Sequence, residues 1–326
     1  MTLSGGLRLD GNEVNAQMAN PLRQLSPRVA LRWSVAPKVS VNANVGRYFQ
    51  LPSYLILGYA EGGQRVNQPD ARYLRCDQAV LGIRYDWTDK NTTLGLEGFA
   101  KGYDGAPVSL TSGIALANLG ADFGVVGNEA VRFDGVGRAY GMEFLAQRRL
   151  YKGVYGLLAY TYVRSEYEFN GEFTPSAWDS RHIVSLTGGA KLKRDWEIGV
   201  RWLYSGGLPF TPYDLDVSLD QAYWDANNVA QLDYAQLNSG RNDAFSQLDL
   251  RIDKKWFFET WSLDVFMDVQ NLFGQVADSP DALDVVRDQT TGVPLVDPMN
   301  PSRYQARYIP LGTGSAIPAV GLIVEL

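Results

Sequence analysis

The stretch Arg28-Val29-Ala30-Leu31-Arg32-Trp33-Ser34-Val35 decides the fold class of this 326-residue chain. Its odd-numbered positions are all apolar, whereas its even-numbered positions are two arginines, an alanine and a serine. Successive side chains of a β-strand point to opposite faces, so the stretch predicts a strand with one apolar and one polar face. Such a strand separates two different environments.

The same alternation recurs along the chain. It is present in Ala79–Trp87, Trp196–Tyr204, Leu248–Asp253 and Ser262–Gln270, where Phe266 interrupts the polar face. Such runs predict about a dozen strands, each bounded to within roughly 2–4 residues. The predicted strands are residues 2–10, 26–36, 38–48, 74–88, 91–104, 132–150, 153–169, 181–193, 195–206, 244–257, 261–273 and 315–326.

Short connections between the predicted strands alternate strictly with long ones. The short ones are residues 36–38, 88–91, 151–153, 193–195 and 258–260. The long ones, rich in Gly, Pro, Asn and Asp, are residues 11–25, 49–73, 105–131, 170–180, 207–243 and 274–314. An antiparallel meander with tight turns at one end and long loops at the other is typical of transmembrane β-barrels, whose periplasmic turns are short and extracellular loops long. Both ends of the chain then lie on the short-turn side.

Aromatic residues mark the short-turn end. Six lie within a few residues of a short turn: Trp33, Trp87, Tyr151, Trp196, Trp256 and Trp261. This placement predicts an aromatic girdle at a membrane–water boundary, and the alternative is that the rings cap the end of a soluble core.

The composition agrees with an all-β chain and excludes several classes of function. The sequence contains 33 Gly and 18 Tyr, and its mean hydropathy is −0.19. No run of about 18 apolar residues predicts a transmembrane helix, but a barrel strand needs only about 10 residues with alternate ones facing lipid. The net charge of −6 argues against a nucleic-acid partner, because phosphates require clustered Lys and Arg.

The residues that carry catalysis or bind metals are scarce. Cys76 and His182 are single, so we predict no internal disulfide, metal site or cofactor, and we predict that the protein is not an enzyme. Four carboxylates recur on predicted polar faces and could suggest paired acids. They are mixed with Arg and Lys, so we interpret them as part of a solvated lumen wall: Asp249, Asp253, Asp264 and Asp268.

Several segments resemble the barrel of TonB-dependent receptors, in the order of that family. Leu25–Trp33 and, after a tight turn, Val45–Pro52 resemble an early barrel region. Asp179–Ile183 followed by Trp196–Pro212 looks like the late barrel, and Leu263–Gly274 is similar to the penultimate-strand motif that ends in Asn-Leu-Phe. The resemblance covers the chain from about residue 20 to its C-terminus.

The resemblance implies a bacterial outer-membrane receptor that binds a scarce nutrient such as a siderophore, cobalamin or an oligosaccharide. Its implied partners are outer-membrane lipid, the small-molecule nutrient, and TonB, the last only through an N-terminal region without a counterpart here. The family also has a plug domain and roughly 22 strands, and the last strand here, Val320–Leu326, ends in an apolar instead of an aromatic residue. We therefore interpret residues 1–326 as the C-terminal portion of such a barrel, without a plug domain.

The long loops contain the candidate ligand contacts. Exposed aromatic rings and arginines can stack on sugars or chelates and pair with anions, although loop aromatics also pack loops against one another. The candidates are Tyr54, Tyr59, Arg65, Trp178, Tyr223, Trp224 and Tyr234. Two other functions stay open at this point: a self-closing passive pore, and a soluble β-rich carbohydrate-binding protein whose apolar faces meet in one core.

Overall fold

One antiparallel sheet follows the chain from end to end in the computed structural model, which describes residues 1–120, 126–277, 279–312 and 314–326. Twelve strands pair in chain order, as the meander predicts. They are β1 (Thr2–Arg8), β2 (Ser26–Ala36), β3 (Val39–Gln50), β4 (Leu74–Trp87), β5 (Thr92–Ser109), β6 (Val131–Tyr151), β7 (Val154–Phe169), β8 (Arg181–Lys191), β9 (Trp196–Ser205), β10 (Phe245–Phe257), β11 (Ser262–Gln270) and β12 (Ile317–Glu325). In the described residues the sheet is open between β1 and β12.

The connections alternate between short turns and long loops, as predicted. We name the long loops L1 (9–25), L2 (51–73), L3 (110–130), L4 (170–180), L5 (206–244) and L6 (271–316). Short helices lie at Ala16–Ala19, Pro21–Gln24, Tyr54–Gly58, Thr88–Lys90, Leu116–Asn118, Lys193–Asp195, Leu215–Ser218, Gln221–Asn227 and Tyr234–Gln236. Small strand pairs are Ala60–Glu61 with Gln64–Arg65, Pro209–Phe210 with Gly240–Arg241, Ala282–Val285 with Ala306–Ile309, and Val296–Asp297 with Asn300–Tyr304. Among the described residues, no helix has both the length and the apolar character that crossing a bilayer requires.

Two segments expected to be loop are strand instead. β5 continues to Ser109 because Ala106 and Val108 pair with β6 through two register shifts, and Gly105 takes a φ of 84° there. In L4, Glu172–Pro175 folds back on β7. The turn between them is Asn170-Gly171, with φ values of 52° and 82°, as a two-residue hairpin turn requires.

The register merges the apolar sides of the strands into one continuous face. Residues paired across an antiparallel sheet point to the same side. One row across the sheet shows this: Leu3, Leu31, Ala43, Leu81, Gly98, Met142 and Tyr162. This apolar face is exposed over most of its area, and Leu81 has an exposed fraction of 63%. The opposite polar face carries ion pairs such as Arg251–Asp253 at 2.6 Å.

The buried apolar residues lie at the long-loop end instead. One cluster joins L1, L2 and L3 to the end of β6: Met18, Ile56, Leu57, Ala71, Tyr73, Leu116, Val131 and Phe133. A second joins L5 to L6: Leu219, Trp224, Leu283, Val285 and Tyr304. The soluble alternative required the apolar faces of the strands to meet in one core, and the structure leaves them on one exposed surface.

Aromatic side chains and cations occupy the short-turn end of the apolar face. Trp33, Trp87, Trp196 and Trp256 all lie on this face by strand parity. Lys254 Nζ lies 5.9 Å from the ring centroid of Trp196 and 5.1 Å from that of Trp256. Amphipathic rings with cations beside them suit a boundary between hydrocarbon and water.

Candidate ligand-binding loop layer

The six long loops form one layer, because each contacts the next. L1 is tied to L2 by Asn15, whose Nδ2 donates to the carbonyls of Gln68 and Ala71 at 2.7 and 2.8 Å. The same side chain caps the helix that places Met18 in the buried cluster. One asparagine thus fixes both the shape of L1 and its place on L2.

A second asparagine, which is buried, ties L2 to L3. Asn67, with an exposed fraction of 2%, donates through Nδ2 to the carbonyls of Ile56 and Glu129, both at 2.8 Å. Its Oδ1 accepts from the backbone N–H of Val131 at 2.9 Å. The side chain therefore satisfies backbone groups that the apolar cluster around it would otherwise leave without partners.

A third asparagine, which is also buried, joins L3, L4 and L5. Asn238 Nδ2 donates to the carbonyl of Asn118 in L3 at 3.0 Å and to that of Pro175 in L4 at 2.8 Å. Its backbone N–H donates to Thr211 Oγ1, also at 3.0 Å. L4 contacts L3 directly as well, since the Ala177 N–H donates to the Ala117 carbonyl.

A fully buried carboxylate, Asp179, holds L4 and L5 to the ends of the strands. Arg241 of L5 donates to its Oδ2 at 2.8 Å, and Arg164 of β7 approaches its Oδ1 at 3.3 Å. The N–H of Ser165 donates to the same Oδ1. A buried carboxylate is tolerated only when charge and hydrogen bonds compensate its loss of water, and these three residues provide both.

L5 packs on L6 through Trp224 and Tyr304 of the second buried cluster. The phenol of Tyr304 donates to Asp225 Oδ1 at 3.0 Å, and this bond raises the pKa of Tyr304 above its ordinary value. Gln221 Nε2 donates to the carbonyl of Pro301. The loop layer is thus continuous from L1 to L6.

Two of the three predicted contacts in L2 are exposed, and the third, Tyr59, is half-buried. Tyr54 begins the helix Tyr54–Gly58 with an exposed fraction of 76%, and Arg65 is exposed in the small hairpin that follows. Tyr59 donates through its phenol to Glu61 Oε1 at 3.1 Å, which raises the pKa of Tyr59. L2 therefore presents two phenols and a guanidinium within one short segment.

Trp178 is the predicted contact in L4. Its neighbours Ala177 and Asp179 are both buried, whereas its indole has an exposed fraction of 65%. The segment on both sides of the ring is held by hydrogen bonds to L3 and L5. A large exposed ring on fixed backbone loses little conformational entropy when it binds a ligand.

The predicted residues of L5 divide into two kinds. Trp224 has an exposed fraction of 3% and packs in the L5–L6 cluster, so the structure gives it the packing role that the sequence left open as the alternative. Tyr223 and Tyr234 are half-buried, and the Tyr223 phenol donates to Gln231 Oε1 at 3.1 Å.

The single histidine and two of the four strand carboxylates, Asp249 and Asp253, are engaged in ordinary contacts. His182 Nδ1 is 3.0 Å from the Tyr160 hydroxyl, and its ring packs on Tyr160 and Tyr162. Asp249 accepts from Gln247 and from the Asn271 N–H, and Asp253 accepts from Arg251. No group of three or more potential metal-ligating side chains occurs in the described part of the chain.

Comparison with known proteins identifies the family. A model of the TonB dependent receptor-like β-barrel family matches residues 1–302. The ferric-catecholate import receptor Fiu of E. coli K12 has a TM-score of 0.57 at 13% identity, covering 92% of this chain and 35% of that one. The ferripyoverdine receptor of Pseudomonas aeruginosa has a TM-score of 0.58 at 13% identity, covering 92% and 33%. The siderophore receptor PiuA of Acinetobacter baumannii has a TM-score of 0.56 at 11% identity, covering 92% and 35%.

The chain therefore spans about a third of the length of the solved structures that it matches. At these identities the structural likeness shows the fold alone, and the search of curated proteins found no match. The family match extends over most of the sequence. The chain belongs to the TonB-dependent receptor β-barrel family, a family of the bacterial outer membrane.

Proposed function

We propose that this chain forms the C-terminal barrel wall and part of the loop layer of an outer-membrane receptor that takes up a scarce nutrient. The observation that carries the proposal is the loop layer itself: six loops joined by three asparagines, a buried aspartate and two apolar clusters. Loops that only closed over a pore would not need such fixed contacts. A preorganised surface binds a small ligand with a lower entropic cost.

The proposed contacts are exposed or half-buried aromatic and arginine side chains on this layer. Tyr54, Tyr59 and Arg65 in L2 and Trp178 in L4 have the chemistry to stack on a flat chelate and to pair with its negative charge. Tyr223 and Tyr234 are proposed as secondary contacts in L5. Trp224 is left out of the proposed site because it is buried.

A ferric siderophore is the first ligand class to test. Fiu is described as a ferric-catecholate import receptor and PiuA as a siderophore receptor, and both share this fold. Cobalamin and oligosaccharides are the other classes that the resemblance implies. We further propose that lipid covers the apolar face, that transport depends on TonB acting through an N-terminal region, and that the chain carries no catalysis.

The test is a binding titration on the full chain folded in detergent, with folding checked by heat-modifiable gel mobility. The panel is a ferric catecholate, a ferric hydroxamate, ferric citrate, cyanocobalamin and a maltodextrin, and the readout is quenching of tryptophan fluorescence. We expect saturable binding of one class, weakened about thirtyfold or more by Trp178→Ala and Tyr54→Ala, since hot-spot aromatics contribute about 2 kcal/mol or more. Trp196→Phe, at the short-turn end, should leave the affinity unchanged. Folded protein that binds none of the five would refute the proposal.

A passive pore is the second candidate, and one observation favours it. β1 runs from the short-turn side to the loops and β12 runs back, so the two edge strands have the orientation for antiparallel pairing. Closure would remove the unpaired backbone groups, which are costly in hydrocarbon. Planar-bilayer recording distinguishes the candidates: steady single-channel conductance supports a pore, and its absence from folded protein rejects one.

A further inference from the structure

A hollow of about 740 Å³ lies on the apolar face across β2 to β5. Two neighbouring rows of outward-pointing positions line it. One is Val29, Val45, Ala79 and Ala100, and the other is Pro27, Arg47, Asp77 and Gly102. The row between them, Arg28, Gly46, Gln78 and Lys101, has the opposite strand parity, so its side chains belong to the polar face.

Small residues create the hollow. Ala79, Ala100 and Gly102 place almost no side-chain volume on the face, and a Cβ added to Gly102 would meet no atom within 4 Å. Larger side chains stand at its margins, because Ala100 pairs with Tyr140 and Ala79 is two residues from Leu81. The floor is apolar, as an acyl chain requires.

Charged side chains border the hollow on the long-loop side, where the apolar face ends. Arg47 and Asp77 pair at 2.6 Å, and Arg75 approaches both Asp77 and Asp104 at 3.4 Å. This belt consists of Arg47, Arg72, Arg75, Arg138, Arg164, Asp77, Asp104 and Glu166. Five arginines face three carboxylates, so the belt carries excess positive charge. The further approach of Arg164 to Asp179 does not remove this excess, because Arg181 and Arg241 also pair with that carboxylate.

Arg138 is an arginine next to the hollow, although its guanidinium turns toward Glu166 on the far side of β6. It shares a register row with Gly102, so no side chain stands between it and the hollow. Its side chain keeps an exposed fraction of 45% although it donates to Glu166 at 2.7 Å, and its guanidinium lies 4.0 Å from the ring centroid of Phe173. A guanidinium with remaining donors can bind phosphate oxygens in a bidentate manner.

We propose that this site binds one phosphate-bearing lipid of the outer leaflet, with an acyl chain over Ala79, Ala100 and Gly102 and the phosphate at Arg138 and Arg47. Headgroups lie at the boundary between hydrocarbon and water, which is the level where the charged belt meets the apolar face. A soluble anion would use the arginines but leave the hollow uncovered. The site faces away from the polar side of the sheet and is independent of the nutrient.

The test measures lipid retained by the full chain in detergent micelles, using native mass spectrometry. Dioleoyl phosphatidic acid is compared with dioleoylglycerol, which has the same acyl chains without the phosphate, and with inorganic phosphate. We expect one phosphatidic acid to be retained, with an affinity about tenfold or more above that of dioleoylglycerol, the equivalent of one charge-assisted hydrogen bond. Equal retention of the two lipids, or equal binding of inorganic phosphate, would overturn the proposal.

Two variants separate the parts of the site. Gly102→Leu fills the hollow while keeping the face apolar, and Arg138→Gln removes the proposed phosphate ligand, so each should lower the affinity for phosphatidic acid about tenfold. Ala146→Leu, elsewhere on the same face, and Lys90→Gln, at the short-turn end, are the matched controls and should retain the lipid. All four are checked for folding by heat-modifiable mobility. If Gly102→Leu and Arg138→Gln fold and bind as the parent chain does, the site does not exist.

Discussion

The molecule has two sets of apolar side chains, one exposed on the sheet and the other buried among the loops. On the sheet, Leu31, Leu81 and Met142 belong to a face that no other part of the described chain covers. In the loops, Met18 and Trp224 are buried in clusters built by segments distant in sequence. The loops thus supply their own core, as a water-exposed domain must, whereas the strands leave their apolar side to another solvent.

This difference explains why a chain with a mean hydropathy of −0.19 can be a membrane protein. Only alternate strand residues need hydrocarbon around them, and the remaining residues have the composition of a soluble protein. It also separates the effects of substitutions. A change in the loop layer should loosen the loops and leave the sheet intact, whereas a change on the apolar face should act only in a bilayer.

The largest expected effect is that of Trp224→Ala. Removing a buried indole should destabilise the L5–L6 packing by about 3–5 kcal/mol, measured as faster amide exchange in Leu215–Ser218 and Ala282–Val285. Heat-modifiable mobility should not change, because the sheet does not depend on this cluster. Tyr308→Ala is the control, because Tyr308 is exposed on the strand that pairs with Ala282–Val285. Equal loosening by the two variants would show that L5 and L6 do not share a core.

The next largest effect is expected from a charge placed on the apolar face. Leu81→Arg lies between the charged belt and Trp87, and should destabilise the sheet in lipid vesicles by about 2–4 kcal/mol, measured by urea unfolding. Thr161→Arg points to the polar face, where Glu143 is its paired neighbour, and should cost little. A similar loss from both variants would contradict the assignment of the two faces.

A smaller effect is expected from Asn67→Leu. The substitution leaves the carbonyls of Ile56 and Glu129 and the N–H of Val131 without their partner, at a cost of about 1–3 kcal/mol. Limited proteolysis within L2 should therefore become faster. Asn227→Leu, an exposed asparagine at the end of a loop helix, is the control. Unchanged cleavage in the Asn67 variant would show that this side chain does not hold L2 to L3.

The smallest effect concerns pH. The folded-state pKa of Tyr304 is raised, because its phenol donates to Asp225. The bond should therefore stabilise the layer fully below the ordinary tyrosine pKa near 10, and this stabilisation should disappear as pH rises through the higher folded-state value. Tyr304→Phe should make the proteolysis of Asn300–Tyr304 independent of pH in that range. If cleavage of the parent chain does not change over this pH range, the hydrogen bond from Tyr304 to Asp225 does not stabilise the layer.

The strands could be predicted from the sequence because a period of two is a local signal. The boundaries of β2, β7 and β9 agree with prediction to within one residue. The strand Glu172–Pro175 also had a local signal, the dipeptide Asn170-Gly171, which is typical of a two-residue hairpin.

The loop layer could not be predicted in the same way, since its contacts join residues far apart in the chain. Asn238 bonds to the carbonyl of Asn118, 120 residues away, and nothing in the residues around either position indicates the pair. Trp224 and Trp178 are both tryptophans in Gly- and Asp-containing loops, yet only Trp224 meets partners that bury it. Burial of a loop aromatic is decided by which loops meet, and that depends on the tertiary fold.

The apolar face of the sheet is expected to contact lipid, and spin labelling can check this contact position by position. Nitroxide labels are placed singly at positions 78 to 83 of β4 in a Cys76→Ser background, in the full chain folded into lipid vesicles. We expect collision with membrane-dissolved oxygen at positions 79, 81 and 83, and collision with a water-soluble nickel chelate at positions 78, 80 and 82. Equal exposure of all six labels to the chelate would show that this face does not contact lipid.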